Sequence, residues 1–136
     1  MEYYKDILLA NVAWGSKQPW VAKWDSSKKP LAEFGDPDWS KKFHVWRMDW
    51  DEQSIKLYVD GLLLNATDLK DTVNKDQEAK KGSQVRNTAL GDPNPFHQPH
   101  YIILNLAIGG TAGGDPSGTD FPAKFEVDYV RIYQEK

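Results

Sequence analysis

The sequence predicts an all-β fold, an antiparallel sandwich, and three observations predict it. Short runs rich in β-branched and aromatic residues recur along the chain, separated by Gly, Pro, Asn and Asp. The clearest run starts at Tyr101, enters through Pro95 and Pro99, which oppose helix, and stops at Gly109-Gly110. No stretch carries a long helical period, and only residues 76–81 leave room for a short helix.

Each element follows in order. Residues 7–14 read as a strand stopped by Gly15. Residues 16–40 read as loop, punctuated by Pro19, Pro30, Gly35 and Pro37. Residues 43–50 and 55–59 read as two strands joined by Asp51-Glu52-Gln53-Ser54, a hairpin by length and residue type. Gly61 marks a second turn, followed by Leu62-Leu63-Leu64. Residues 70–94 are polar and form a loop or insertion. In the Tyr101 run, Ile102, Leu104, Leu106 and Ile108 share one face, which calls for burial. Asn105 shares the other face with Tyr101, Ile103 and Ala107, and a covered amide there needs a partner or a ligand. A Gly-rich turn at 109–118 precedes a last strand at 125–133. The 136 residues are read as one domain.

With 40% hydrophobic residues, the composition is that of a folded chain and not a disordered one. A balance of 17 basic against 20 acidic residues, with no dominant basic cluster, argues against nucleic acid as a partner. No apolar run reaches the length of a membrane-spanning helix. The absence of cysteine removes disulfides and thiolate metal sites. His97 and His100 flank Pro99 without the further ligands a zinc site requires, so they read as turn residues. Asn65-Ala66-Thr67 is a glycosylation triplet of a kind that is common by chance.

Six tryptophans stand out. Flat indole rings pack cores, and they also suit the faces of sugar rings. Trp46 and Trp50, inside a strand, read as core. Trp20 and Trp24 lie among Lys17-Gln18-Pro19 and Asp25-Ser26-Ser27, where core packing and a surface sugar platform stand as equal alternatives.

Three blocks carry a resemblance. Phe96-x-Gln98-Pro99-x-Tyr101 running into Leu104-Asn105-Leu106-Ala107-Ile108-Gly109-Gly110 is one. Phe43-His44-Val45-Trp46-Arg47-Met48-Asp49-Trp50, followed by Ile55-Lys56-Leu57-Tyr58-Val59-Asp60-Gly61, is the second. Phe125-Glu126-Val127-Asp128-Tyr129-Val130-Arg131-Ile132-Tyr133 is the third. In order and spacing they resemble the laminarinase-type glycoside hydrolases of family 16. The resemblance implies a jelly-roll sandwich of the concanavalin A type, incomplete here and corresponding to its C-terminal half. It implies endo-hydrolysis of a β-linked polysaccharide, β-1,3-glucan foremost, with retention. The family's signature is Glu-x-Asp-x-x-Glu or a form one residue shorter. Aligned through residues 8–14, Glu2 falls on its last position, the acid/base, so the nucleophile and supporting Asp would stand before residue 1. This chain alone is therefore expected to be inactive.

The resemblance also implies sugar contacts at Trp14, Trp20, Trp24, Gln98 and Asn105. Asp128 matches the acidic residue that often helps bind a structural calcium in the family; in this chain it also reads as a hydrogen-bonded strand-edge carboxylate. No catalytic cofactor is called for. The expected partner is a β-glucan polysaccharide or oligosaccharide, with neither nucleic acid nor membrane. Self-association, or complementation by an N-terminal half, would cover unpaired strand edges. A parent enzyme would work outside the cell or in the periplasm; no signal-peptide pattern opens these residues. A non-catalytic carbohydrate-binding sandwich and a truncated fragment without activity are the alternatives.

Overall fold

The computed structural model describes residues 6–16, 18–73 and 94–134. These fall into two compact units, residues 6–101 and residues 102–134. The expected acid/base Glu2 and the short helix expected at 76–81 lie outside the described residues, as does most of the polar segment 70–94.

The first unit is built from two antiparallel sheets. β1 (Ile7–Gly15) and β2 (Ala22–Pro30) form one hairpin, in register from Ile7 opposite Pro30 to Gly15 opposite Ala22. β3 (Trp46–Trp50), β4 (Ser54–Val59) and β5 (Leu62–Asp68) form the other sheet in that order. β2 corrects the sequence reading, which expects loop there. Its residues Lys23 to Lys29 lack an apolar comb, and pairing with β1 rather than propensity makes them a strand.

Turn chemistry sets both hairpins of the larger sheet. Asp51 Oδ1 accepts the backbone N–H groups of Gln53 and Ser54, both at 2.7 Å, which turns β3 into β4 and holds the Asp51 carboxyl below its usual range. Asp60 and Gly61 both have positive φ, 48° and 82°, the combination a tight β4–β5 turn requires. A register shift between Leu57 and Tyr58 marks a bulge against β5.

The sheets meet over a small core. Val12, Ile55 and Leu69 are buried together, with Trp14, Leu57 and Phe96 packed against them. The next face-sharing positions on β3, opposite Ile55, Leu57 and Val59, are Trp50, Met48 and Trp46. All three are exposed, Trp46 at 57% and Trp50 at 40%. This corrects the expectation that Trp46 and Trp50 are core: β3 is the last strand of its sheet in this unit, and Trp39 and His100 reach only its ends.

The second unit contains a helical turn at Gly110–Gly113 and a 3-10 turn at Pro116–Gly118. Gly109 has φ 71°, a left-handed backbone that a side chain would strain even though a Cβ there would meet Gly114 and Pro116 only at ordinary contact distance. The segments expected as strands, 101–108 and 125–133, enter no ladder among the described residues. Ile102, Leu104, Leu106 and Ile108, expected to be buried, are exposed. Alternation supplies a face, but a strand exists only beside a neighbour about 4.8 Å away.

One corner of the first unit is charged. Both ring nitrogens of His44 face acceptors: Asp60 Oδ2 at 2.6 Å from Nδ1, and the Trp39 carbonyl oxygen at 2.7 Å from Nε2. Both nitrogens must carry hydrogen to satisfy this, which is the imidazolium form. The ring also stacks on Trp39, with centroids 3.7 Å apart. Burial works against the charge, but the Trp39 carbonyl and the Asp60 carboxylate outweigh it and raise the His44 pKa. Asp36 adds a weaker pull from its loop, where it is itself held by Lys42 Nζ at 2.6 Å. The His44 bond and then the Val45 N–H hold Asp60 low.

The sign of the pH dependence follows. A raised His44 pKa stabilises fully below the ordinary value of 6.5, and that contribution is lost as pH rises through the folded value. A lowered Asp60 pKa stabilises above its ordinary 3.8, and that contribution is lost as pH falls through the folded value. Urea midpoints measured from about pH 5 to 8.5 should fall on the alkaline side, and His44→Gln should flatten that fall. Parallel curves for the two proteins would refute the assignment.

Candidate functional site

The β1–β2 hairpin has two unlike faces. On β1, Leu8, Ala10, Val12 and Trp14 point toward the other sheet, and Leu9, Asn11, Ala13 and Gly15 point away. On β2, the register places Ala22, Trp24, Ser26 and Lys28 on the away face, opposite Gly15, Ala13, Asn11 and Leu9. That face is open. Trp24 is 61% exposed and stands among Ala13, Gly15 and Ala22, whose small side chains leave its ring uncovered. Beside it the cross-strand pair Asn11–Ser26 supplies an amide and a hydroxyl. A bare indole face next to hydrogen-bonding groups is what a sugar ring needs.

The hairpin tip adds a second aromatic. Ser16 Oγ accepts the Gln18 N–H at 3.1 Å, and the Ser16 N–H reaches the Val21 carbonyl oxygen at 3.1 Å, closing the loop. At its apex Trp20 is fully exposed, with φ 66°. Left-handed backbone costs a bulky residue roughly 1–2 kcal/mol, and here no burial offsets it.

The expected site residues therefore separate. Trp20 and Trp24 lie on one hairpin. Trp14 is two positions along β1 from Val12, on the core face, and its ring is a core element rather than part of the open platform. Its Nε1 is buried with no hydrogen-bond partner among the described residues, and so is Nε2 of Gln98. Gln98 caps the 3-10 turn Pro95–His97 beside the core residue Phe96. Asn105 and Asp128 are exposed residues of the second unit. Asn11 and Ser26 were missed by the sequence reading. Alternation would have found both once residues 22–30 were read as a strand.

Other polar groups serve structure. His97 Nε2 bonds the Glu52 carbonyl oxygen at 2.9 Å, and His100 Nε2 bonds that of Pro95 at 3.0 Å. A recess of about 460 Å³ is lined by Glu52, Gln53, Asp68, Lys70, Val73, Asn94 and His97. Within it Lys70 Nζ binds Asp68, lowering one pKa and raising the other. Among the described residues no three His, Cys, Asp or Glu side chains gather as metal ligands.

The two faces predict different costs. Trp14→Ala should destabilise the fold by about 3–5 kcal/mol, as core aromatics do. Trp24→Ala should change stability by less than about 0.5 kcal/mol. Trp20→Gly should stabilise by about 1 kcal/mol through relief at positive φ. Denaturant unfolding of the three variants tests the division, and a large loss at Trp24 would overturn it.

Comparison with known proteins places the chain. Residues 25–131 match the model of the glycosyl hydrolases family 16. The chain is 31% identical over 120 residues to glucan endo-1,3-beta-glucosidase A1 of Niallia circulans, covering 84% of this chain and 16% of that protein. It is 34% identical over 101 residues to the beta-glucanase of Rhodothermus marinus, covering 68% and 29%. It is 33% identical over 116 residues to the beta-1,3-glucan-binding protein of Penaeus monodon, covering 81% and 31%. The chain thus spans less than a third of the length of these relatives. No solved structure gives a significant match. A family match that spans residues 25–131, more than half of the chain, means that the chain belongs to the glycosyl hydrolases of family 16.

Proposed function

We propose that this chain is the glucan-contacting part of a retaining endo-β-glucanase, with β-1,3-glucan as the substrate. One observation carries the reading: the open β1–β2 face, where Trp24 stands bare beside Asn11 and Ser26, with Trp20 exposed at the tip. The relatives named for action on 1,3-β-glucan and for binding it support the choice of polymer. An aromatic platform grips the sugar face, and the amide and hydroxyl fix its hydroxyl groups.

The chemistry asks for two carboxyl groups about 5–5.5 Å apart. In this reading Glu2 protonates the leaving oxygen and later activates water, as its place in the signature implies. The carboxylate that attacks the anomeric carbon precedes residue 1 in the alignment. The 136 residues alone then bind without turning over. Asn105 is assigned a sugar contact and Asp128 a share in calcium binding, both on the family pattern.

A second reading has one observation in its favour. The Penaeus monodon relative is named as a glucan-binding protein, and a binding sandwich needs the platform without the carboxylate pair.

The two readings part on a simple comparison. Laminarin incubated with the 136-residue chain should release no new reducing ends, while laminari-oligosaccharides should shift its tryptophan fluorescence at about millimolar concentration. In a protein that also carries the preceding signature residues, Glu2→Gln should cut kcat by about 10²–10⁴-fold and leave binding intact. Hydrolysis by the isolated chain would break the assignment. Absence of any hydrolysis in the longer protein would favour the binding module.

A further inference from the structure

The inward row of β2 is Lys23, Asp25, Ser27 and Lys29, with no apolar side chain to pack on the core. β1 is held by Val12 and Trp14; β2 has no such hold. An isolated two-stranded ribbon is marginal in water. What fixes β2 from beneath is polar. Asp25 Oδ2 accepts the Thr67 hydroxyl of β5 at 2.8 Å. Asn65 Nδ2, also on β5, donates to the Asp25 carbonyl oxygen at 3.3 Å and to the Ala10 carbonyl oxygen of β1 at 2.9 Å. Thr67 is 2% exposed and Asp25 half-buried, so the bond is partly shielded from water and the Thr67 hydroxyl has little water to replace a lost partner.

Asp25 is the immediate neighbour of Trp24, and alternation turns the two side chains to opposite faces. The bond that anchors Asp25 below therefore sets the backbone from which Trp24 projects above. We propose that Asp25, latched by Thr67 and Asn65, is a positioning residue for the Trp24 platform. It acts through Trp24 and touches no ligand itself. The proposal rests on the β-glucan reading of that face. It also gives Asn65-Ala66-Thr67 a part: in the folded chain the amide and hydroxyl of this glycosylation triplet are both engaged in the latch.

The test is a double-mutant cycle on the full chain, titrated with laminari-oligosaccharides. Thr67→Val should weaken binding about tenfold, equivalent to about 1.4 kcal/mol. Thr67→Ser, which keeps the hydroxyl, should restore it. The diagnostic arm is Trp24→Ala. In that background Thr67→Val should have no further effect, because a latch acting through the ring has nothing left to position. Binding by Thr67→Val equal to wild type, or a loss that persists without Trp24, overturns the proposal. If Thr67→Val does not fold, Asp25→Ala is read in the same cycle. If the wild-type chain binds no laminari-oligosaccharide, the β-glucan reading itself falls and takes this role with it. That outcome differs from the other two, which leave wild-type binding intact.

Discussion

The first unit depends on how a polar strand is kept in a sandwich. Burial holds β1, whose inward residues join the Val12–Ile55–Leu69 core. It cannot hold β2, whose inward residues carry charge or hydroxyl. The bonds from Asn65 and Thr67 substitute for packing. Such bonds contribute modestly to net stability, about 1 kcal/mol each, but leaving a buried partner unmade costs about 1–3 kcal/mol. They therefore specify register and orientation more than they add to stability. A face that must present a ring at a set angle is served better by directional bonds than by apolar contact, which tolerates sliding.

A second polar device works at the far end of β4. Asp60 occupies a left-handed turn position that Asp tolerates better than most residues, and Gly61 completes the turn. The Asp60 carboxylate then reaches across the turn to the Val45 N–H and His44 Nδ1. The Asp60 N–H bonds the Val45 carbonyl oxygen in return. One residue thus closes a hairpin and fixes the entry to β3. His44 passes that constraint on by stacking against Trp39, which also packs on Phe34. Charge, turn geometry and aromatic packing meet within a few residues, and each restricts the others.

Much of this was legible in the sequence, and the misses share one cause. β1, the β3–β4 hairpin and the turn at Gly61 announce themselves by alternation and turn residues, signals local to each segment. β2 does not, because its strand character is imposed by β1 across the hairpin. The side that Trp14 takes is set non-locally as well. Its face is fixed by its spacing from Val12 and by which face meets β4 and β5, a non-local fact. Trp46 and Trp50 erred in the opposite direction: a tryptophan inside a strand suggests a core, but the strand's place at the end of a sheet decides whether anything lies over it. Asn105 is legible only in part. Its amide in an apolar run marks it as unusual, and nothing local says what it meets.

Trp20 is the residue for which the fold itself gives least account. A core aromatic is justified by the surface it removes from water, and Trp20 removes none. A turn residue is justified by the backbone it permits, and at φ 66° glycine or asparagine permits it with less strain. The Ser16 bonds that close the loop involve the backbone of Gln18 and Val21 and do not use the indole. Folding therefore explains the loop but not the side chain at its apex. Strain of this kind persists where the surrounding structure enforces it, and it concentrates at sites that contact something else. With Trp24 exposed four residues later, at the start of the same open face, the strained apex reads as an outward extension of that face. Under the proposed function, the tip and the open face of the hairpin together form the surface offered to a glucan.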